Sequence, residues 1–275
     1  MGWLNLLILA YIAAFGIRLL VPGISPFSEN PLIRAIYAAT EPILQPVRRL
    51  FVRGEPRLDW APLIVIVLLI LLRGFLFAFL SADSPAVGMA TSLLEIVGFV
   101  VHGLAILFLG VFFISIDTPF GYSQIGHILY TVGNPFLAPL RLVFRKGRNG
   151  ADPAALAGIA LLGVLNGLLL FQMSSNLQTM GAPDLGQAVL WSSVNLLDNL
   201  LDVLFIAIII RSLISWFNPD PATPMFQILI LYSDPVLTPI QRVMPSTYGI
   251  DFSPLIAILV LRFIQSSVLP LLLHL

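Results

Sequence analysis

Apolar runs alternate with mixed, proline-bearing segments along the whole chain. The apolar runs fall at about 3–21, 61–80, 91–116, 153–174, 189–216 and 253–273. Each is near or above the ~20 residues that cross a ~30 Å hydrocarbon core, so each predicts a transmembrane helix. The third and fifth are long enough to require tilt or protrusion. Between the runs lie three long connections, 22–60, 117–152 and 217–252, and two short ones, 81–90 and 175–188.

Basic residues choose between the two sides. The first long connection holds Arg34, Arg48, Arg49, Arg53 and Arg57; the second holds Arg141, Arg145, Lys146 and Arg148; the third holds Arg242. The short connections hold none. The positive-inside rule therefore places all three long connections in the cytoplasm and both termini outside. No basic residue precedes the first run, the first being Arg18, so 3–21 is expected to be a retained membrane helix with a translocated N-terminus.

The long connections share a pattern. "EPILQPVRR" (41–49) returns as "NPFLAPLRL" (134–142) and "DPVLTPIQR" (234–242). Each sets a polar residue (Glu41, Asn134, Asp234) before a proline (Pro42, Pro135, Pro235). A second proline follows four on (Pro46, Pro139, Pro239), then a basic residue (Arg48, Arg141, Arg242). The first prolines stand 93 and 100 residues apart. Asp59, Asp152 and Asp251 follow them at +17, +17 and +16, and Arg73, Asn166 and Gln265 follow each Asp at +14. Twenty-four residues before the first proline stand Arg18 and Arg211, with Val111 in the middle copy. The pattern predicts an all-α membrane protein of six transmembrane helices in three parallel two-span repeats, 1–82, 83–180 and 181–275, the middle one degenerate. Each repeat carries a cytoplasmic, proline-punctuated amphipathic segment.

Physical roles follow from these positions. A polar residue before proline predicts an N-cap and first helical position at 41/42, 134/135 and 234/235. The second proline predicts a kink or restart at 46, 139 and 239. Apolar residues with interspersed arginines suit a helix lying on anionic headgroups, or one that only shapes the return into the membrane. Asp59, Asp152 and Asp251 are expected at the starts of membrane-entering helices, offsetting the dipole and orphan N–H groups. Arg18 and Arg211 are expected to snorkel from span ends.

Intramembrane polar residues are costly. Arg73, Glu95, Asn166, Asp198, Asp202, Arg262 and Gln265 are the candidates. Repeat symmetry allows Arg73, Asn166 and Gln265 one central seam. Asp198 and Asp202 share a helix face, and Arg262 or Arg73 is expected to partner one of them. The set reads either as interhelical clasps or as a proton or ion path.

Composition narrows the chemistry. The chain is 58% hydrophobic and 10% charged, with no cysteine and a formal net charge of zero. Mean hydropathy is +0.98. Thiolate catalysis, Cys-ligated zinc and disulfides are excluded. Zero net charge gives no electrostatic case for nucleic acid. His102, His127 and His274 share no ligand spacing, and no hydrolase, metalloprotease, P-loop or dinucleotide motif occurs, so neither catalysis nor a cofactor is expected. Trp3, Trp60, Trp191 and Trp216 stand at span ends, as interfacial anchors do.

The stretch "IIIRSLISWFNPDPATPMFQILILYSDPVLTPIQRVMPSTYGIDFSPLIAILVLRFIQ" (208–265) resembles the YggT family, called YlmG in Gram-positive bacteria and plastids. Residues 11–73 resemble it too; the middle copy departs, with "IDTPFGYS" where the family has its SW-N-P turn. The resemblance implies a multi-pass protein of a bacterial inner membrane without an established biochemical activity. It also implies links to osmotic tolerance, ion uptake, division or cytochrome assembly. A non-catalytic scaffold or envelope-organising factor is the expected function, with an ion or osmolyte channel or transporter as the alternative. The expected partners are the lipid bilayer and other membrane proteins.

Overall fold

The computed structural model describes residues 2–20, 31–51, 60–80, 85–116, 124–144, 151–176, 183–215, 224–243 and 251–273. Arg53, Arg57, Asp59, Arg145, Lys146, Arg148, Trp216, His274 and the side chain of Trp3 lie outside them. The regular structure among the described residues is helical: α1 (Gly2–Leu20), α2 (Pro31–Phe51), α3 (Ala61–Leu80), α4 (Pro85–Ile116), α5 (Gln124–Val143), α6 (Pro153–Asn176), α7 (Leu185–Ser215), α8 (Pro224–Val243) and α9 (Ser253–Phe263). After α9 come a wide π turn (Ile264–Val268) and α10 (Leu269–Leu272). Among the described residues, four stretches are long and apolar enough to cross a membrane: Leu93–Ile116, Pro153–Gln172, Leu185–Ser215 and Ser253–Leu272. Leu6–Arg18 and Ala61–Leu76 are shorter apolar helices inside the first two expected spans. The chain is a multi-pass helical membrane protein.

It divides into two compact units, Met1–Val100 and Val101–Leu275. In the first, α1, α2 and α3 pack on one another. Phe15, Leu44, Ala61 and Val65 form the core, with Tyr11, Val47, Ile66 and Leu69 around it. The outer face of α3 exposes Val67, Leu71, Phe75 and Phe79. Hydrocarbon solvates such side chains as well as a protein interior does, so close fit and polar contacts must hold the helices together.

In the second unit, α7 packs against α6, α8 and α9. A stripe at four-residue spacing, Ala188, Ser192, Leu196, Leu200, Leu204 and Ile208, is buried along it. The contact with α6 is backbone-close. A Cβ added to Gly163 would lie 2.8 Å from Ser193 Oγ, and one added to Gly167 would lie 2.4 Å from Val189 Cα. This is small-xxx-small packing, which lets membrane helices approach closely. Tyr232 of α8 reaches α4, where its hydroxyl donates to the Ile106 carbonyl at 2.8 Å over Gly110. Its ring meets Phe113 edge-on at 6.2 Å.

The proline segments depart from expectation. Pro42 and Pro46 lie inside α2, Pro135 and Pro139 inside α5, and Pro235 and Pro239 inside α8. Glu41, Asn134 and Asp234 are therefore mid-helix residues, not N-caps, and the second proline does not restart a helix. Each helix begins about ten residues earlier, in the apolar, aromatic stretch upstream. The spacing explains how two prolines are tolerated. Proline removes the bond to the carbonyl four residues back. With prolines four apart, the second vacates the carbonyl of the first, so both defects share one stripe. In α2 that stripe, Ala38, Pro42 and Pro46, is exposed.

The π turn has a similar cause. Pro270 cannot donate to Ser266, and Leu269 N–H bonds to the Ile264 carbonyl instead. Gln265 sits in this turn.

Candidate functional site

The polar groups form interhelical clasps. In the first unit, α1 and α2 are joined by Arg18. It donates to Thr40 Oγ1 at 2.9 Å and to Glu41 at 2.5 Å, with its guanidinium 4.6 Å from the Tyr37 ring centre. Glu41 accepts a second cation, Arg48, at 2.7 Å. In the second unit, α7 and α8 are joined the same way: Arg211 donates to Ser233 at 2.6 Å and to Asp234. Thr40 and Ser233 each donate onward to the carbonyl four residues back, Ile36 at 2.6 Å and Leu229 at 2.5 Å. The sequence separations, 22 to the hydroxyl and 23 to the carboxylate, are identical in the two units. In place of a lone arginine at each span end, a carboxylate one helix away holds each guanidinium, with Arg18 nearly buried and Arg211 partly exposed.

Val111 stands 22 residues before Gly133. A Cβ at Gly133 would lie 3.3 Å from Val111 Cγ2. The same pair of positions meets here through apolar contact, without ion or hydroxyl. Arg141 takes over nearby, donating to Asn134 at 2.6 Å and pairing with Asp152 at 2.7 Å.

Asp152 and Asp251 each accept a backbone N–H two residues on, at the starts of α6 and α9. Asp152 accepts from Ala154 N–H at 3.2 Å, while its own N–H donates to Ser115 Oγ at 2.7 Å. Asp251 accepts from Ser253 N–H at 2.9 Å and from Gln241 at 2.8 Å. Burial works against the Asp251 charge, but hydrogen bonds from Ser253 and Gln241 and the Arg211 charge outweigh it, holding its pKa below the usual carboxylate value. The stability it adds is present above its unfolded-state pKa of about 4 and is lost as pH falls through the lowered folded value. Asp251→Asn is expected to flatten the acid limb of the stability curve, read as unfolding midpoint against pH in detergent; an unchanged acid limb would remove this role.

The intramembrane candidates are satisfied locally. Arg73 is fully buried and pairs with Glu95. Asn166 donates to Ser192 at 2.8 Å, joining α6 to α7. Gln265 donates to Asp198 at 2.9 Å and to Asp202 at 3.0 Å. Arg262 donates to Asp202 at 3.2 Å and to Gln265 at 2.9 Å, and stacks 3.7 Å from the Phe205 ring centre. Within the second unit, Asn166 and Gln265 end on separate partners, Ser192 for the first and the Asp198/Asp202 pair for the second. Asn199 Nδ2 lies 3.2 Å from His102 Nε2. Among the described residues, no three His, Cys, Asp or Glu side chains converge on a metal-sized site.

Sequence reasoning missed Thr40, Ser233, Ser192, Phe205 and the Gly163/Gly167 pair. Two signals point to Thr40, Ser233 and the glycine pair, namely the recurring 22-residue offset from Arg to a hydroxyl residue and the Gly-x-x-x-Gly spacing; neither points to Ser192 or Phe205.

The chain has relatives among known proteins. The family CCB3/YggT matches residues 1–80 and 190–272, the two stretches that carry the arginine clasps. An uncharacterized protein of Haemophilus influenzae is 30% identical over 151 residues, 55% of this chain and 77% of its own length. Uncharacterized protein YggT of Escherichia coli K12 is 29% identical over 147 residues, 54% of this chain and 73% of its own. An uncharacterized protein of Pseudomonas aeruginosa is 28% identical over 149 residues. No solved structure matches the chain. The chain belongs to the CCB3/YggT family.

Proposed function

We propose that the chain is a non-catalytic scaffold of a bacterial inner membrane, organising or assembling other membrane proteins, with a link to osmotic tolerance or division. In this reading six spans form three parallel units, 1–82, 83–180 and 181–275, with both termini outside and the proline helices on the cytoplasmic face. The equal Arg–hydroxyl and Arg–carboxylate separations in the outer units support the repeat, and the Val111–Gly133 contact supports its degenerate middle copy. One observation carries the scaffold reading. Every candidate intramembrane group ends on another side chain of the chain, yet Asp202 and Arg262 remain 45% and 49% exposed on helices apolar enough to span. Charged groups in a bilayer face protein or water, not lipid tails. A satisfied but half-exposed polar face is a seam for another helix.

The test is photo-crosslinking in native membranes from positions 199 and 206, beside this face. A discrete protein adduct, lost when Asp202 and Arg262 are both changed to Leu, is expected. Adducts to lipid alone would overturn the reading.

A second reading rests on the charge count. Asp198 and Asp202 face one guanidinium, Arg262, beside a cavity of about 260 Å³ lined by Asn195, Asp198 and Gln265. One carboxylate in excess is the arrangement a proton or monovalent cation would occupy, as in a transporter. Liposome flux abolished by Asp202→Asn would favour it; absence of flux would remove it.

A further inference from the structure

A cleft of about 370 Å³ opens between the end of α4 and one face of α8. That volume lies at the low end of ligand pockets. Phe113 and Ile116 form its apolar wall, and Ile116 ends a stretch apolar enough to span, which puts the cleft at the membrane surface. The facing stripe of α8 runs Leu231, Pro235, Pro239 and Arg242.

That stripe is chemically unusual. Pro235 and Pro239 have no N–H, so the carbonyls of Leu231 and Pro235, four residues back, lack their helical donors. Both residues line the cleft. Asp234, also in the wall, adds negative charge there, partly balanced by Arg211. At the other end Arg242 is exposed and has no ion-pair partner among the described residues. Helix carbonyls point toward the C-terminus, and side chains lean toward the N-terminus, so the acceptors and the guanidinium converge over roughly two helical turns. The cleft thus offers acceptors at one end, a cation at the other and an apolar wall beside them.

We propose that this cleft binds a phosphatidylethanolamine headgroup, with its phosphate on Arg242 and its ammonium on the vacated carbonyls of Leu231 and Pro235. The ammonium supplies N–H donors that the carbonyls lack, and one acyl chain lies along Phe113 and Ile116. Phosphatidylcholine carries the same charges without a donor, and phosphatidylglycerol carries the phosphate without the cation. The assignment stands whether or not the seam around Asp202 docks a partner.

The experiment is native mass spectrometry of the full chain titrated separately with the three lipids. Phosphatidylethanolamine is expected to bind roughly tenfold more tightly than phosphatidylcholine, the scale of one charge-assisted hydrogen bond. Arg242→Gln should lose most of the binding and Arg242→Lys should keep it. The double variant Pro235→Ala/Pro239→Ala restores both helical donors; it should still bind phospholipid but lose the preference over phosphatidylcholine. Equal binding of the two zwitterionic lipids, tighter binding of phosphatidylglycerol, or an Arg242→Gln protein that binds normally would each overturn the assignment.

Discussion

Glu41→Ala is expected to destabilise the first unit by about 3 kcal/mol or more, the cost of leaving a buried charge unpaired. Arg18 and Glu41 are 7% and 13% exposed, so water cannot replace the missing carboxylate at Arg18. Arg48, at 31%, can turn outward. Thr40 would remain on Arg18, but a hydroxyl carries no charge. Replacing both Arg18 and Glu41 by leucine should cost less than Glu41→Ala alone, because no stranded ion remains. The counterpart Asp234→Ala should cost less, since Arg211 and Asp234 are 23% and 32% exposed and solvent screens the pair. Unfolding in SDS, with hydrogen exchange localised to α1, α2 and α3, reads these differences. A Glu41→Ala protein with the wild-type midpoint, or one more stable than the double leucine variant, would sink the argument.

Much of this architecture was legible because a membrane restricts the choices. Hydrophobic runs gave the helices to within a few residues, since an apolar run of that length has few alternatives. Asp152 and Asp251 were legible because a helix start has local chemistry. Clasp partners were not, because they depend on which residues face each other across two helices. Arg18 looked like a snorkelling residue since nothing near it in sequence is acidic; Glu41 is 23 residues away. Glu41, Asn134 and Asp234 looked like caps because polar-then-proline is a helix-start signature. The rule failed because the upstream stretches are themselves good helix, and because the four-residue proline spacing confines the defect to one stripe. The Asp202–Arg262 pair was legible, as two carboxylates on one face demand a cation and few were available. The exposure of that pair was not, because it depends on what else packs on α7 and α9.

Gly167→Ala is expected to cost about 3 kcal/mol, the upper range for forcing one extra methyl into a packed contact. The added Cβ would meet Val189 Cα at 2.4 Å, Val189 N at 2.9 Å and the Ala188 carbonyl at 3.0 Å. All three are backbone atoms, so no rotamer change relieves them, and α6 must move away from α7. That movement also stretches the 2.8 Å hydrogen bond from Asn166 to Ser192, adding an unpaired amide inside a spanning helix. Gly163→Ala meets Ser193 Oγ at 2.8 Å and Cα at 3.2 Å; the hydroxyl can turn, so this variant should cost less. SDS unfolding of both variants beside Asn166→Leu separates close approach from hydrogen bonding. A Gly167→Ala protein as stable as wild type, or less affected than Gly163→Ala, would show that α6 and α7 do not depend on this contact. The location matters for the scaffold reading. In that reading α6 closes the middle repeat and α7 opens the last, so this close backbone approach joins two repeats. Loosening it should shift the seam around Asp202 without touching a residue of that seam, and the crosslinks from positions 199 and 206 should weaken in the Gly167→Ala protein.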